Sequence, residues 1–518
     1  MRLGDFVQQL GGSLLPAMTG SGPEIAGVRL DSRRVAAGDL FCALPGTRAD
    51  GAEFALDALR RGAAAILTPR PLALSGSAVH PDFVQWVHAD ARAVAGSVAA
   101  RIFGHPGREL FTVGITGTNG KTTTAHLTGQ MLQSVGRKPA VLGTAGNRLA
   151  DGRLLAATHT TPDACALQEL LMRHVEMGGD SVAMEASSHA LDQDRLSGLE
   201  FDVAVFTNLT RDHLDYHGDL EAYAAAKERL FRRIKRGGAA VVNADDPASE
   251  RMARVARECG ARVFTYSTRS RGDLCASHVQ TGLRGTQLFL HGMGISRTRA
   301  WLPLAGRYNV ENALSALASV LLSGASPSKA LEGLATVRSA PGRLEPVPND
   351  RGIAVLVDYA HSEAALENVC RVVRASLERE PARELVTLGP PAAGARAEAA
   401  RSGRLIVVFG CGGDRDQGKR APMGRVVNEL ADLAIVTSDN PRSEDPARIL
   451  GEIEAGMQPA RAERITVLDR REAIARALDL ARRGDAVLIA GKGHETTQTI
   501  GPHVYDFDDR KVAAECLR

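Results

Sequence analysis

The stretch GITGTNGKTT, Gly114 to Thr123, joins closely spaced glycines to a lysine and adjacent threonines. A glycine-rich turn that opens a helix presents unpaired backbone N–H groups to an anion, a following lysine reaches the outer phosphates, and a hydroxyl next to it suits magnesium. Gly117, Thr118, Asn119, Gly120, Lys121, Thr122 and Thr123 are therefore expected to cradle a nucleotide triphosphate. Ile115 stands where the common G-x-x-x-x-G-K-[ST] loop has its first glycine. The reading rests as much on context, with a strand-like LFTVGIT before the turn and a helix-like run after it.

Two further stretches carry groups suited to such a centre. In VAMEASSHAL, Glu185 closes an apolar run, and in VFTNLTRDHLDYHG another run gives way to Asp212, His213, Asp215 and His217. Strand ends of an open parallel sheet converge on one crevice, so Thr122, Glu185 and His213 can share metal ions with a triphosphate. Taken singly, each histidine reads first as a capped or half-exposed residue. Glu185 and His189 are four apart but lack the H-E-x-x-H pattern, which disfavours a zinc protease. Farther on, AIVTSDNPRSEDP (Ala434 to Pro446) places Arg442 in a loop of turn formers. A solvated turn arginine and a five-donor partner for a carboxylate are both open there.

These groups need elements to position them. At 518 residues the length suggests about three domains. Lys and Arg total 63 against 60 Asp and Glu, without a basic block, so nucleic acid is not the expected partner. Seven scattered cysteines without a CxxC pair suggest neither a disulfide framework nor a zinc site and fit a reducing cytosol. The opening MRLGDFVQQLGGSLLPAMTG has no continuous apolar core, and no run reaches the ~18 apolar residues of a membrane span; a soluble, cytoplasmic protein is expected.

Three blocks follow from the order of apolar runs. Residues 1–105 mix the strand-like IAGVRL, a turn-rich DSRRVAAGDL and LFCALPG in a small α/β unit. Residues 106–340 alternate LFTVGIT, PAVLGT, SVAMEAS, VAVFTNL and AAVVNAD with helical patterns such as LEAYAAAKERLFRRI, which argues a mostly parallel sheet. Residues 341–518 repeat the alternation with IAVLVDYA, RLIVVFGC, LADLAIVTS, RITVLD and DAVLIAGKG, a second doubly wound unit. The segment from Glu378 to Gly403 is rich in Ala, Arg, Pro and Gly and reads as a flexible surface insertion without chemistry of its own.

The motifs TGTNGKTTT, HTTPDA, MEASSHALDQDRL, TNLTRDHLDYHG, AKERLF, RYNVENALSAL, PGRLE, VDYAH, FGCGGDRDQGKRAPMG, SDNPRSEDP and GKGHE occur in this order. In that order the chain resembles the Mur ligases over nearly its whole length, the Glu378 to Gly403 segment apart. GTNGK alone would also admit folylpolyglutamate synthase, whereas DSR, HTTP and DNPR together favour the diaminopimelate-adding Mur ligases. The resemblance implies an α/β fold of three domains: an N-terminal one for a UDP sugar, a central P-loop ATPase sheet and a C-terminal Rossmann-like domain for the incoming amino acid. It further implies an ATP-dependent amide ligase of peptidoglycan synthesis, expected to be a monomer. This enzyme would add meso-diaminopimelate to UDP-N-acetylmuramoyl-L-alanyl-D-glutamate through an acyl phosphate.

Residue by residue, the resemblance implies that Leu30, Ser32 and Arg33 hold the UDP end and that Thr160, Thr161, Ser187, Gln193 and Arg195 line the muramoyl-dipeptide path. Asn312, Arg343 and Asp358 would join the phosphate loop around ATP. Thr122, Glu185, His213 and Lys227, the last as a carbamate, would hold magnesium, with Lys121, Lys227 and His213 as the catalytic set. By residue type alone Lys227 reads as a solvated helix lysine. Arg415, Asp439, Asn440, Pro441, Arg442, Gly491 and Glu495 would bind diaminopimelate. A lysine-adding homologue and a catalytically silent nucleotide-binding module are the alternatives. After DYAH this chain has Ser362-Glu363 where the family often has Thr-Pro; serine caps helices well, so only the helix start is expected to differ.

Overall fold

The computed structural model describes residues 1–17, 20–46, 49–75, 83–157, 159–269, 271–379 and 403–518. Most of the Glu378 to Gly403 segment lies outside the described residues. The chain forms two compact units, one of Met1–Cys275, His291–Ile295 and Glu311–Gly333, the other of Ala276–Leu290, Ser296–Val310 and Leu334–Arg518.

In the first unit, β1 (Ser13–Leu15), β2 (Gly27–Arg29), β3 (Asp39–Cys42), β4 (Ala65–Thr68) and β5 (Val84–Val87) make a five-stranded sheet in the order β1-β5-β4-β3-β2. β2 to β5 run parallel and β1 pairs antiparallel with β5. β3 and β4 are buried along their whole length, as continuous apolar runs in covered parallel sheets are. The helix Ala91–Ile102 closes the core with Val94, Val98 and Ala99 against Leu40, Leu67 and Trp86.

The larger sheet of this unit is built from β6 (Phe111–Thr116), β7 (Pro139–Gly143), β8 (Gly146–Arg148), β9 (Leu154–Leu155), β10 (Ser181–Glu185), β11 (Phe201–Phe206), β12 (Ile234–Asn243) and β13 (Arg262–Ser267). Their order is β13-β12-β11-β6-β10-β7-β8-β9, parallel from β13 to β7. Register sets the site: Glu185 lies opposite Ile115, and Phe206 opposite Thr116. The last residues of β10 and β11 thus flank the glycine-rich loop that leaves β6.

β14 (Leu274–Gly282) begins beside β13, with Leu274 and Cys275 opposite Tyr266 and Ser267, and β15 (Gly285–Gly292) and β16 (Ile295–Leu302) follow in the chain. The second unit holds a six-stranded sheet of β17 (Glu345–Pro346), β18 (Ala354–Asp358), β19 (Leu405–Phe409), β20 (Leu433–Val436), β21 (Glu463–Thr466) and β22 (Ala486–Ala490), in the order β17-β18-β22-β19-β20-β21. All pairs are parallel except β17 with β18. Alternate residues serve opposite faces. Leu356, Val407, Phe409 and Leu488 pack with Leu366, Val427 and Ile453 of three helices, while Val357, Ile406, Val408 and Ile489 pack with Ile474 and Val512 of two others. That is a doubly wound layer, as the sequence suggested, with β23 (Thr497–Ile500) and β24 (His503–Asp506) as a separate antiparallel pair. Ser362 heads the helix Glu363–Arg379, its Oγ accepting from Ala365 N at 3.4 Å.

Candidate functional site

The loop between β6 and the helix Lys121–Ser134 needs its glycines. Gly120 caps the helix at φ +87°, and a Cβ there would lie 2.3 Å from Asn312 Oδ1; one at Gly117 would lie 1.9 Å from Thr207 Oγ1. Strand β11 runs into the segment Thr207–Thr210, which pins the loop from beside it. Thr118 N donates to Asn208 O at 2.9 Å, Asn119 N to Asn208 Oδ1 at 2.9 Å, and Thr207 Oγ1 to Asn119 O at 2.6 Å. Lys121 Nζ donates to the carbonyls of Gly117 and Thr118 at 2.8 and 2.9 Å, which holds the ammonium over the turn. Thr122 and Thr123 are buried in the first helical turn. The turn is built to receive an anion at a helix N-terminus.

Glu185 is buried at the end of β10, its Oε1 accepting from Thr144 N at 2.7 Å and its Oε2 from Thr144 Oγ1 at 3.3 Å. His213 stands at φ +53° with Nε2 3.6 Å from Asp212 Oδ2. Its ring meets His189 at 4.9 Å and Tyr223 at 6.2 Å. Burial, and then the neighbouring His213 and His217, depress the His189 pKa to about 4. Tyr223 binds the loop through Thr118 Oγ1 at 3.3 Å, and burial raises its phenol to about 12.

Lys227 belongs to the same group. Only 1% of it is exposed, and its Nζ lies over the Tyr223 ring, 3.9 Å from the centroid. Burial, with the charge of Lys121 second, pushes its pKa well below that of an ordinary lysine. The solvated helix lysine suggested by residue type is corrected: the sheet side of helix Leu220–Phe231 carries it inward.

The residues expected along the dipeptide path form one connected patch. Arg195 donates from Nε and Nη2 to Gln193 Oε1 at 3.0 and 2.6 Å and from Nη1 to Thr161 O at 3.3 Å. Thr161 Oγ1 lies 2.8 Å from Glu185 O and 3.4 Å from Ser187 Oγ, and Thr144 Oγ1 reaches Thr160 Oγ1 at 3.1 Å. Leu30 and Ser32 sit in the N-terminal sheet's turn beside Arg33, which is exposed and paired with Asp31 at 2.8 Å. Glu169 holds this turn from the helix Ala164–Glu176, with Arg29 at 2.8 Å and Arg34 at 3.2 Å. A cavity of about 210 Å³ opens here, lined by Arg34, Asn147, His159, Glu169 and Arg173 among others.

In the second unit, Asp358 closes β18. Its Oδ2 accepts from Leu344 N at 2.7 Å and its Oδ1 from Ala360 N at 2.8 Å. Burial raises its pKa, against the pull of Arg343. The Arg343 guanidinium lies 5.0 Å from the centre of the Tyr359 ring. The ends of β19, β20 and β22 bring the expected amino-acid residues together. Lys492, fully buried, lies 3.3 Å from Glu495, 3.4 Å from Asn440 Oδ1 and 3.8 Å from Asp439. Asn440 Nδ2 donates to Glu495 Oε2 at 2.9 Å, its Oδ1 accepts from Thr499 N at 2.9 Å, and Gly491 leaves no room for a Cβ beside Asp439. Pro441 is buried, and Arg442, at φ +53°, donates from Nη1 to Gly413 O at 2.6 Å. Arg415 is exposed on the loop after β19.

Sequence reasoning missed the second layer: Tyr223, Thr144, Asn208 and Lys492 each orient an expected residue. Asn208 and Lys492 stand inside the motifs that carry the resemblance, which was the available signal, whereas Thr144 lies 41 residues from Glu185 and Tyr223 105 residues from Thr118.

Three family models match the chain: "Mur ligase family, catalytic domain" over residues 24–100, "Mur ligase middle domain" over 115–320 and "Mur ligase, glutamate ligase domain" over 389–493. Among curated proteins, a UDP-N-acetylmuramoyl-L-alanyl-D-glutamate–2,6-diaminopimelate ligase of Geobacillus kaustophilus is 41% identical over 508 residues, 96% of either chain. The ligase of the same name from Streptomyces coelicolor is 42% identical, covering 100% of this chain and 96% of its own. A solved structure of a ligase with that name superposes with a TM-score of 0.69 at 33% identity, covering 100% of this chain and 99% of the other. MurF of Acinetobacter baumannii shares the fold, with a TM-score of 0.61 at 20% identity and 94% of each chain covered.

Proposed function

The chain belongs to the Mur ligase family, and we propose that within it the protein is the ligase that adds meso-diaminopimelate to UDP-N-acetylmuramoyl-L-alanyl-D-glutamate with ATP. The observation that carries the choice of amino acid is Arg442, a guanidinium offered at a strand mouth by a loop tied down on both sides. Meso-diaminopimelate bears a carboxylate at the end where lysine has none, and a planar fork of donors suits it.

The chemistry follows from charge. The D-glutamyl carboxylate attacks the γ-phosphate, giving an acyl phosphate and ADP, and an amine of diaminopimelate then displaces phosphate. An anion attacking a polyanion is opposed electrostatically, so fixed positive groups aimed at the phosphates lower the barrier. Lys121 and the amides of the following helical turn do this. Glu185 stays oriented by Thr144, and Thr161 and Arg195 hold the dipeptide carboxylate's approach.

Magnesium takes oxygen ligands. The Thr122 hydroxyl and the buried Glu185 carboxylate would supply them; Lys227 as encoded does not fit, and as a carbamate it does. Burial lowers the pKa of this amine and so favours the neutral form, whose lone pair carbamate formation requires. When bound, magnesium supplies further charge neutralisation at the phosphates. Thr122, Glu185, His213 and carbamylated Lys227 would hold it.

We place the domain boundaries near residues 105 and 340, in keeping with the three matched segments. Among the described residues no helix is long and apolar enough to cross a membrane, in keeping with a cytoplasmic enzyme, and a monomer is proposed. ADP release measured with the UDP-sugar dipeptide plus meso-diaminopimelate, L-lysine or no amino acid tests the reading. Release that requires meso-diaminopimelate is expected. Equal or faster release with lysine overturns the amino-acid assignment, and no release with any of the three overturns the enzyme.

A further inference from the structure

Two loops at the strand ends of the second unit are laced together by a carboxylate that the proposed reaction does not use. The loop after β19 carries Arg415 and the loop after β20 carries Arg442. Between them stands Glu444. Its Oε1 accepts from Asp414 N at 2.5 Å, one residue before Arg415, and its Oε2 lies 3.4 Å from Gln417 Nε2. Both oxygens also accept from Nη2 of Arg420, at 2.9 and 3.0 Å.

Arg420 is wholly buried. It heads the helix Arg420–Leu430, reaches Glu452 of the helix Pro446–Ala455 with Nη1 at 2.7 Å, and lies 3.4 Å from Gly412 O. A second lace runs parallel: Ser443 donates to Asp414 from Oγ at 2.7 Å and from N at 3.1 Å. Gly413 N donates to Asn440 O at 2.9 Å, and Arg442 returns the contact to Gly413 O. Asp414 and Arg442 both stand at φ +53°, a conformation that side-chain-bearing residues hold only where surrounding bonds enforce it.

Arg420 is buried and Glu444 half-buried, and burying a charge to make such a pair is a poor device for stability alone, since well-packed apolar side chains of similar volume do as well or better. What this one adds is direction. It fixes the backbone beside one arginine to the backbone beside the other.

We propose that Glu444, anchored by Arg420, is a positioning residue that sets the Arg415 and Arg442 guanidiniums relative to each other, and so selects an amino acid with a distal carboxylate. The inference rests on the ligase reading above. Glu444 acts through the two arginines and does not itself touch the substrate.

The test is steady-state kinetics on the full-length enzyme, wild type against Glu444→Gln, Ser443→Ala and the double variant, with Arg442→Ala as control. Glu444→Gln is nearly isosteric and keeps an oxygen for Asp414 N but loses the charge that holds Arg420. The expected result is a KM for meso-diaminopimelate raised about tenfold, with kcat within threefold and the KM for ATP and the UDP-sugar dipeptide unchanged. The preference over L-lysine should fall by the same factor. Ser443→Ala should give a smaller rise, and the double variant less than the product of the two, because both laces hold Asp414. An unchanged diaminopimelate KM in all three overturns the proposal, as does a loss shared equally by lysine and by ATP, which would mark a merely structural pair. If wild type ignores meso-diaminopimelate, the ligase reading itself has failed. If wild type and Arg442→Ala behave as proposed while Glu444→Gln is silent, only this inference has failed.

Discussion

Arg442→Ala is the substitution whose consequence can be worked out most fully. The backbone at position 442 stays at φ +53° for arginine and alanine alike, so the local strain cancels in the comparison. One donor, Nη1, is engaged with Gly413 O at 2.6 Å, which leaves the Nε and Nη2 edge for a carboxylate. Truncating one partner of a hydrogen-bonded charge pair costs about 2 to 5 kcal/mol. The side chain is only half-buried, and one of its donors is already engaged within the loop, so the low end applies. At about 1.4 kcal/mol per tenfold, a loss near 2 kcal/mol corresponds to roughly a 30-fold weaker interaction. Arg442→Lys keeps the charge without the planar fork and should fall between the two. The assay is the Michaelis constant of each variant for meso-diaminopimelate, L-lysine, ATP and the UDP-sugar dipeptide. Only the first should rise. An unchanged value for meso-diaminopimelate would refute the reasoning and return SDNPRSEDP to an ordinary strand-to-helix turn.

Lys121→Ala should abolish ADP release while the melting temperature stays close to wild type, because the lysine is a half-buried point charge over a turn and not part of the apolar core; near wild-type release would remove the phosphate-loop assignment. Lys227→Ala should be nearly inactive and partly recovered by short carboxylic acids that supply the missing oxygens, whereas a fully active Lys227→Arg would exclude the carbamate. Gly120→Ala should lose about 1 to 2 kcal/mol of stability to the left-handed backbone alone, with more from the 2.3 Å approach to Asn312, and should raise the KM for ATP; a urea midpoint equal to wild type would contradict it. Folding stability should also fall on mild acidification: His189 and His494 are both held to about 4, chiefly by burial, so between about pH 6.5 and 4 the unfolded chain binds protons that the folded one refuses. The urea midpoint at pH 5 should therefore lie below that at pH 7.5, and the opposite order would show that these rings are not held neutral.

What the sequence made legible was contiguous. The strand, turn and helix around Gly117, Gly120 and Lys121 were legible because each is the immediate neighbour of the next. The same holds for most strands of both parallel sheets, each an apolar run bounded by turn residues. Strand order was not legible, since DAVLIAGKG comes fifth among the runs of its block yet lies between β18 and β19, and pairing between distant segments leaves no local mark. Nor was the extent of β12, which begins at Ile234 among polar residues because Lys235 is held there by Asp202 at 2.8 Å.

The two ambiguous cations show where local reading stops. Lys227 and Arg442 carry the same charge, and each had a solvated reading in the sequence, yet the structure treats them in opposite ways. Lys227 is withdrawn to 1% exposure, where burial pushes its pKa well below that of an ordinary lysine and so favours the neutral amine. Arg442 stays partly open, with a loop carbonyl under one nitrogen. Arginine does not give up its proton in a protein, so it serves where a permanent cation must meet an anion; lysine does when buried, so it serves where the amine must react. Burial, a long-range property, is what separates the arginine proposed for recognition from the lysine proposed for chemistry.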